Sequence, residues 1–318
     1  MKIAVLDAGT LGSDLSLAPL AEFGDVAVYQ TTSVEEMPER VSDRDVIILN
    51  KIRCNRETLS SAKNLRLICV AATGYDNIDI AYCRERGIAV CNVVGYSTES
   101  VAQLTLSMVF ALSTNLTVFH NYVASGNYTK SGVANSVAPV FHELAGKTWG
   151  IFGYGNIGKK VAAVANAMGC RVIVCKRTPT EEPYPVVDFE TLCRESDILT
   201  LHTPLTDETR GILDEAHIAL MKKDAILVNV ARGAVLDEAA VAAAILDGRI
   251  GGFGCDVYTR EPFGEDHPYQ KLLSHPAVIL TPHMAWGSYE ARTLCLSEIC
   301  QNIKSFYSEK IRNRVDLP

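Results

Sequence analysis

Three short segments late in the chain carry residue types that together could reduce a carbonyl. Val228-Asn229-Val230-Ala231-Arg232-Gly233 offers a guanidinium, Asp256-Val257-Tyr258-Thr259-Arg260-Glu261-Pro262 a carboxylate, and Thr281-Pro282-His283-Met284-Ala285-Trp286 an imidazole. The planar guanidinium of Arg232 can hold a carboxylate and an adjacent carbonyl through paired, charge-assisted bonds. Hydride arrival at a carbonyl carbon builds negative charge on the oxygen, so a proton donor must stand close. His283 is the best candidate, because imidazole titrates near neutral pH. A carboxylate behind the ring, Glu261, would fix its tautomer and favour its protonated form. Singly these are an arginine at a cap or in an ion pair, an acid before a proline and a loop histidine. In order, and behind the fingerprint described next, they point to 2-keto acid and 2-hydroxy acid chemistry.

That fingerprint is Trp149-Gly150-Ile151-Phe152-Gly153-Tyr154-Gly155-Asn156-Ile157-Gly158-Lys159, a strand followed by G-x-G-x-x-G and a helix. Gly153 permits a tight turn, Gly155 lets backbone approach a pyrophosphate, and Gly158 lets helix and strand pack closely. The new helix turns its free N–H groups toward the phosphates. A P-loop is excluded, because Lys160 stands where Ser or Thr would bind magnesium. Gly9-Thr10-Leu11-Gly12 also follows a strand but lacks the middle glycine, and reads as a turn. In such a fold an Asp or Glu near the end of the second strand takes the ribose 2′-hydroxyl of NAD. Here that place holds Lys176 and Arg177, and the next acid is Glu181. Two cations would attract a 2′-phosphate, so the residues favour NADP over NAD.

Continuous Val/Ile-rich runs supply the strands that would position these groups. One series is 3–6, Val46–Leu49, 65–70 and 88–91; the second is Thr148–Phe152, Arg171–Cys175, Ile198–Leu201, 225–230, 252–257 and Val278–Leu280. Helical patterns at 159–168, Glu238–Leu246 and 288–306 alternate with them. The alternation implies an α/β doubly wound architecture, and two series imply two parallel sheets. Between the series lie one apolar helix near 99–120 and a patternless polar stretch, 121–139, which is a linker or an arm to another subunit.

With 318 residues, two domains are the expectation. A formal net charge of -7 argues against nucleic acid or an anionic membrane as the main partner. The run 3–6 stops at Asp7, too short for a signal peptide, and no run approaches the ~20 apolar residues of a membrane span. None of the ten cysteines has C-x-x-C spacing, so they read as free thiols in a reducing compartment, the cytoplasm. The seven histidines form no cluster with metal-ligand spacing, and no metal is expected.

With these motifs in hand, the chain resembles the D-isomer-specific 2-hydroxyacid dehydrogenase family over nearly its whole length. The glycine fingerprint, Leu201-His202-Thr203-Pro204-Leu205 and the three late segments carry the likeness. The resemblance implies Arg232 as substrate clamp, His283 as acid/base and Glu261 as its partner. It implies a Rossmann cofactor domain (98–286) inserted into a smaller flavodoxin-like substrate domain (1–97 and 287–318), with the substrate in the cleft. It also implies a homodimer through the cofactor domain, with 121–139 as the arm. Asn50-Lys51, Ala71-Ala72-Thr73-Gly74-Tyr75-Asp76-Asn77, Gly95-Tyr96-Ser97-Thr98 and His283-Met284-Ala285-Trp286 resemble the glycerate dehydrogenase/hydroxypyruvate reductase branch. That branch implies hydroxypyruvate or glyoxylate reduced to D-glycerate or glycolate. Lys51, Gly74, Tyr75 and Trp286 would join Arg232 and His283 at the substrate. Thr98, Asn156, Ile157, His202, Pro204, Thr209, Val230 and Asp256 would join the three glycines, Lys176 and Arg177 at the cofactor. Lys176 departs from the branch's usual acid, and Glu261 departs from the Gln of formate dehydrogenases. Two other readings stand beside this one. A reductase of a bulkier 2-keto acid would be decided by the room left by Tyr75 and Trp286. A dinucleotide-sensing corepressor would keep the fold and turn over slowly; the full Arg–Glu–His set favours the enzyme.

Overall fold

The computed structural model describes residues 1–178 and 181–317. The chain divides into two compact units, Met1–Ser97 with Gly287–Pro318, and Thr98–Trp286.

The first unit is built on five parallel strands: β1 (Lys2–Val5), β2 (Asp25–Val28), β3 (Val46–Leu49), β4 (Leu67–Val70) and β5 (Ala89–Cys91). Their order, β2-β1-β3-β4-β5, is that of a flavodoxin-like sheet. Every residue of β3 and β4 is buried, which explains their unbroken apolar runs. β2 is absent from the sequence-based strand series. It is an edge strand with no buried residue and opens on Asp25, so it leaves no apolar run to read. Ala8–Leu11 forms a single 3₁₀ turn after β1. The helix Tyr289–Tyr307 begins at Ser288, whose Oγ accepts from the N–H of Ala291, and it packs on β4. Its buried Asn302 donates to the Asn92 carbonyl at 2.9 Å. The tail then turns back along β5. Val315 N–H donates to the Val90 carbonyl, and Val90 N–H donates to the Asp316 carboxylate, both at 2.9 Å. Arg314 pairs with that same carboxylate.

The second unit has six parallel strands: β6 (Thr148–Phe152), β7 (Arg171–Cys175), β8 (Ile198–Leu201), β9 (Ile226–Asn229), β10 (Gly252–Cys255) and β11 (Val278–Leu280). They run in the order β11-β10-β9-β8-β6-β7. Beyond β7 a one-residue parallel bridge joins Val174 to Val186. Counting that bridge as the third strand of the unit gives the Rossmann order, with β11 added at the far edge. Pro183 and Pro185 precede the bridge and lack the N–H groups of a longer strand. The sequence chains therefore form two parallel α/β sheets, as the alternation of runs implied.

The expected single helix near 99–120 is two helices, Thr98–Ser113 and Leu116–Ala124, bent by 65°. Asn115 takes the left-handed conformation at φ 53° and breaks the helix. Nor is 121–139 without pattern, since the second helix continues to Ala124 and a short one spans Asn127–Ser131. Neither of these helices buries a residue, and the segment following them stays exposed. Among the described residues, no single helix is long and apolar enough to cross a membrane.

Candidate active site

The glycine loop has the geometry that its spacing implies. Gly153 sits at φ 95°, and a Cβ there would lie 2.6 Å from the carbonyl carbon of His202 and from Thr203 N. A Cβ on Gly158 would lie 2.3 Å from the Gly153 oxygen, so helix Asn156–Ala167 can pack on β6 only through a glycine. Over Gly155 there is nothing within 4 Å of the same test position. Two contacts are closed and one face is open, which fits a loop that leaves room for a phosphate. The cradle lies at the carboxyl ends of β6 and β8, where strand order reverses and ligands bind in open α/β sheets.

His202 forms one wall of this loop. Its N–H donates to the Phe152 carbonyl at 2.7 Å, and its Nε2 lies 3.0 Å from Thr200 Oγ1. Burial pushes its pKa down to about 3, so the ring is neutral. Thr209 uses its hydroxyl to staple its own loop, accepting from Thr206 N at 2.8 Å and donating to the Pro204 carbonyl at 2.7 Å.

The three late segments meet at the carboxyl ends of β9, β10 and β11. Gly233 makes the first junction: a Cβ there would lie 2.1 Å from the Tyr258 carbonyl carbon, so the Arg232 loop lies flat against Tyr258–Thr259. Asn229, fully buried, shapes that loop by accepting from Ala231 N at 3.0 Å and donating to the Arg232 carbonyl at 2.9 Å. Asp256 makes the second junction. Its carboxylate accepts from Thr281 Oγ1 at 2.6 Å and from Met284 N and Ala285 N at 2.8 Å each. The turn carrying His283 is wrapped around this carboxylate. Burial raises the Asp256 pKa, against the pull of those three donors.

His283 itself has φ 52°, an uncommon conformation for a residue with a side chain and one that clusters at functional sites. Its carbonyl accepts from the Trp286 indole at 2.9 Å. Its Nδ1 lies 2.6 Å from one oxygen of Glu261, whose other oxygen accepts from Tyr258 N at 3.0 Å. The structure thus joins Glu261, His283 and Trp286 directly, and brings the Arg232 loop against the loop that holds Glu261. Val230 is buried beside it. Thr98 opens the helix Thr98–Ser113, and Ser100 on that helix donates to the Ala285 carbonyl at 2.6 Å.

Lys51, Gly74 and Tyr75 belong to the first unit, at the carboxyl ends of β3 and β4. The N–H groups of Asn50 and Lys51 donate to the Asp7 carboxylate at 2.9 and 2.7 Å. Asn77 donates to the carbonyls of Asn50 at 3.2 Å and Ile52 at 2.7 Å, tying the Gly74–Tyr75 turn to the Lys51 loop. Burial lifts the Asp7 pKa despite its backbone donors.

The positioning roles of Asp7, Asn77, Asn229, Gly233 and Asp256 were not legible in the sequence. Their one sequence signal is location: small, polar or acidic residues directly after strand-forming runs. The place after β7 also needs correction. Lys176 is not an unopposed cation, because it pairs with Glu182.

A family model, the NAD-binding domain of D-isomer-specific 2-hydroxyacid dehydrogenases, matches residues 106–285. The chain belongs to the D-isomer-specific 2-hydroxyacid dehydrogenase family. It is similar to a glycerate dehydrogenase of Methylorubrum extorquens, with 36% identity over 91% of both chains. A hydroxypyruvate reductase of Blautia hydrogenotrophica is 32% identical over 96% of this chain and 97% of its own. Among solved structures, a D-lactate dehydrogenase of Aquifex aeolicus complexed with NAD and lactic acid superposes with a TM-score of 0.88 at 27% identity, covering 100% of each chain. As a member of this dehydrogenase family, the protein is a nicotinamide-dependent oxidoreductase acting on the CH–OH group of a small 2-hydroxy acid.

Proposed function

We propose that the protein reduces hydroxypyruvate, and with it glyoxylate, to D-glycerate and glycolate. The observation that carries this reading is the Glu261–His283 pair, held at 2.6 Å beside the Arg232 loop. Arg232 holds the substrate's carboxylate and carbonyl oxygen. Its fork aligns the two by paired bonds, which a lysine's point charge would not do. By the family pattern, Lys51 and the Gly74 and Tyr75 backbone receive the carboxylate, and Trp286 limits the room for the side chain.

The nicotinamide cofactor supplies the hydride when bound. The 153–158 loop and helix Asn156–Ala167 hold its pyrophosphate, with Thr98, Pro204, Thr209, Val230 and Asp256 along its path. Glu261 keeps the Nδ1 proton of His283 in place, so Nε2 is the nitrogen that gives its proton to the carbonyl oxygen. In the reverse direction Nε2 takes that proton back. The neutral His202 adds no charge beneath the phosphates. Lys176 and Arg177 are the cations that would receive the 2′-phosphate of NADP, while the pairing of Lys176 with Glu182 favours NAD.

The exposed segment 116–141 supports a homodimer through the second unit. It presents Leu116, Val123, Val137, Val140 and Phe141 to solvent, with Val137 79% and Val140 72% exposed. Ten unpaired cysteines favour the cytoplasm. The test is the initial rate with hydroxypyruvate, glyoxylate and a bulkier 2-keto acid, each with NADH and NADPH. Fast turnover of the two small acids is expected. Preference for the bulky acid would replace the substrate, and no turnover with any would favour the dinucleotide-sensing corepressor.

A further inference from the structure

In a Rossmann sheet the carboxyl end of the second strand stands beside the adenosine ribose, and an acid there accepts from its 2′-hydroxyl. Here β7 ends at Cys175 and the next residue is Lys176. The chain then comes back along the same strand. Val174 N–H donates to the Pro185 carbonyl, and Val187 N–H donates to the Val174 carbonyl, both at 2.9 Å. This return carries Glu182 to the Lys176 ammonium, and the two side chains are only 11% and 18% exposed. It also sets the Tyr184 ring edge-on to Tyr154, the residue between Gly153 and Gly155, with centroids 6.2 Å apart. The Tyr154 phenol is held above its ordinary pKa by burial first, then by the charges of Tyr184 and Glu182. The returning segment that carries Glu182 thus runs beside the phosphate loop.

We propose that Glu182 decides between the two nicotinamide cofactors, by competing with a 2′-phosphate for Lys176 and by accepting from a 2′-hydroxyl. This deepens the cofactor reading above and rests on it. A carboxylate is the partner that a ribose hydroxyl can donate to. Toward a 2′-phosphate the same carboxylate is a like charge, and it already neutralises the nearest cation. NADPH must therefore displace Glu182 from a largely buried ion pair, whereas NADH finds its acceptor in place. Removing the Glu182 charge leaves a partly buried ammonium that lacks this counter-charge, and such a group binds an incoming anion strongly.

The test uses the full chain and reads binding. Isothermal titration measures the Kd of NADH, NADPH, 5′-AMP and 2′,5′-ADP for the parent and for Glu182→Gln. The variant should shift the NADPH-to-NADH affinity ratio, and the 2′,5′-ADP-to-AMP ratio, toward the phosphorylated ligand by about tenfold or more. Adding Lys176→Gln to it should abolish the gain. If Glu182→Gln does not fold, Glu182→Asp keeps the charge but withdraws it by one methylene, and should shift both ratios the same way by about threefold. A shift below about twofold in the folded variant, with NADH still bound, would overturn the role of Glu182 and leave the cofactor reading intact. Failure of the parent to bind either dinucleotide would overturn the cofactor reading itself.

Discussion

Replacing Glu261 with Gln keeps the shape of the side chain and removes its charge. In the parent, one carboxylate oxygen accepts from Tyr258 N at 3.0 Å and the other faces His283 Nδ1 at 2.6 Å. An amide has a single oxygen. If it stays on the Tyr258 N–H, the amide NH₂ turns toward Nδ1, which must then accept. The proton of the neutral ring moves to Nε2. That tautomer cannot take a proton from a hydroxy acid at Nε2, and in the reduction it offers a neutral imidazole in place of an imidazolium. A carboxylate-to-amide change behind a catalytic imidazole has cost about 10⁴ in kcat in another enzyme, and acid–base catalysis is generally worth about 10²–10⁴-fold. Glu261→Gln should therefore lower kcat by about 10²–10⁴, or roughly 3–5 kcal/mol of barrier, in both directions. Initial rates of hydroxypyruvate reduction and D-glycerate oxidation, followed by nicotinamide absorbance, give kcat. Dinucleotide titration checks that cofactor affinity stays within about twofold. A kcat loss under about tenfold in either direction would refute the tautomer argument.

Three further outcomes follow from the same geometry. Arg232→Ala should lower kcat/KM by about 10²–10⁴ at unchanged cofactor Kd, since two hydrogen bonds to charged groups at about 1.5–3 kcal/mol each are lost; unchanged turnover would remove the clamp from the mechanism. His202 is held neutral down to about pH 3, whereas the unfolded chain protonates it below about 6.5, so its share of stability is complete above 6.5 and is lost as pH falls toward 3. Urea unfolding should show the parent losing about 2 kcal/mol more than His202→Asn between pH 7 and pH 5, and equal losses would contradict the burial argument. Val137→Glu with Val140→Glu should weaken a homodimer by about 100-fold or more in sedimentation velocity; a dimer of parental affinity would place the interface elsewhere.

The parts of the molecule that were legible in the sequence are those buried on two sides. β3 and β4 bury every residue, so their apolar runs are unbroken. β2 buries none, and the bridge at Val186 is one residue long and follows Pro183 and Pro185, so neither could leave a run. Apolar spacing reads through a bend, which is why Thr98–Ser113 and Leu116–Ala124 looked like one helix although Asn115 turns the chain. At the site, Arg232, Glu261 and His283 stood out by chemical type. Their positioning depends on Asn229, Gly233 and Asp256, whose partners lie on other strands. Glu182 was not legible because it lies six residues beyond Lys176 along the chain, and only the returning loop brings the two side chains together.

The tail that turns back along β5 bears on the order in which the protein matures. The first unit needs residues from both ends of its sequence: Asn302 closes on Asn92, and Asp316 takes the N–H of Val90. On the ribosome, the first 97 residues emerge long before these partners exist. The unit Thr98–Trp286 is one uninterrupted stretch and can complete its core while the chain is still growing. The N-terminal sheet meanwhile waits with β4 uncovered and the edge of β5 unlatched. This reverses the usual N-terminus-first sequence of domain folding. It leaves that sheet exposed to chaperones and proteases until residues 289–316 have emerged.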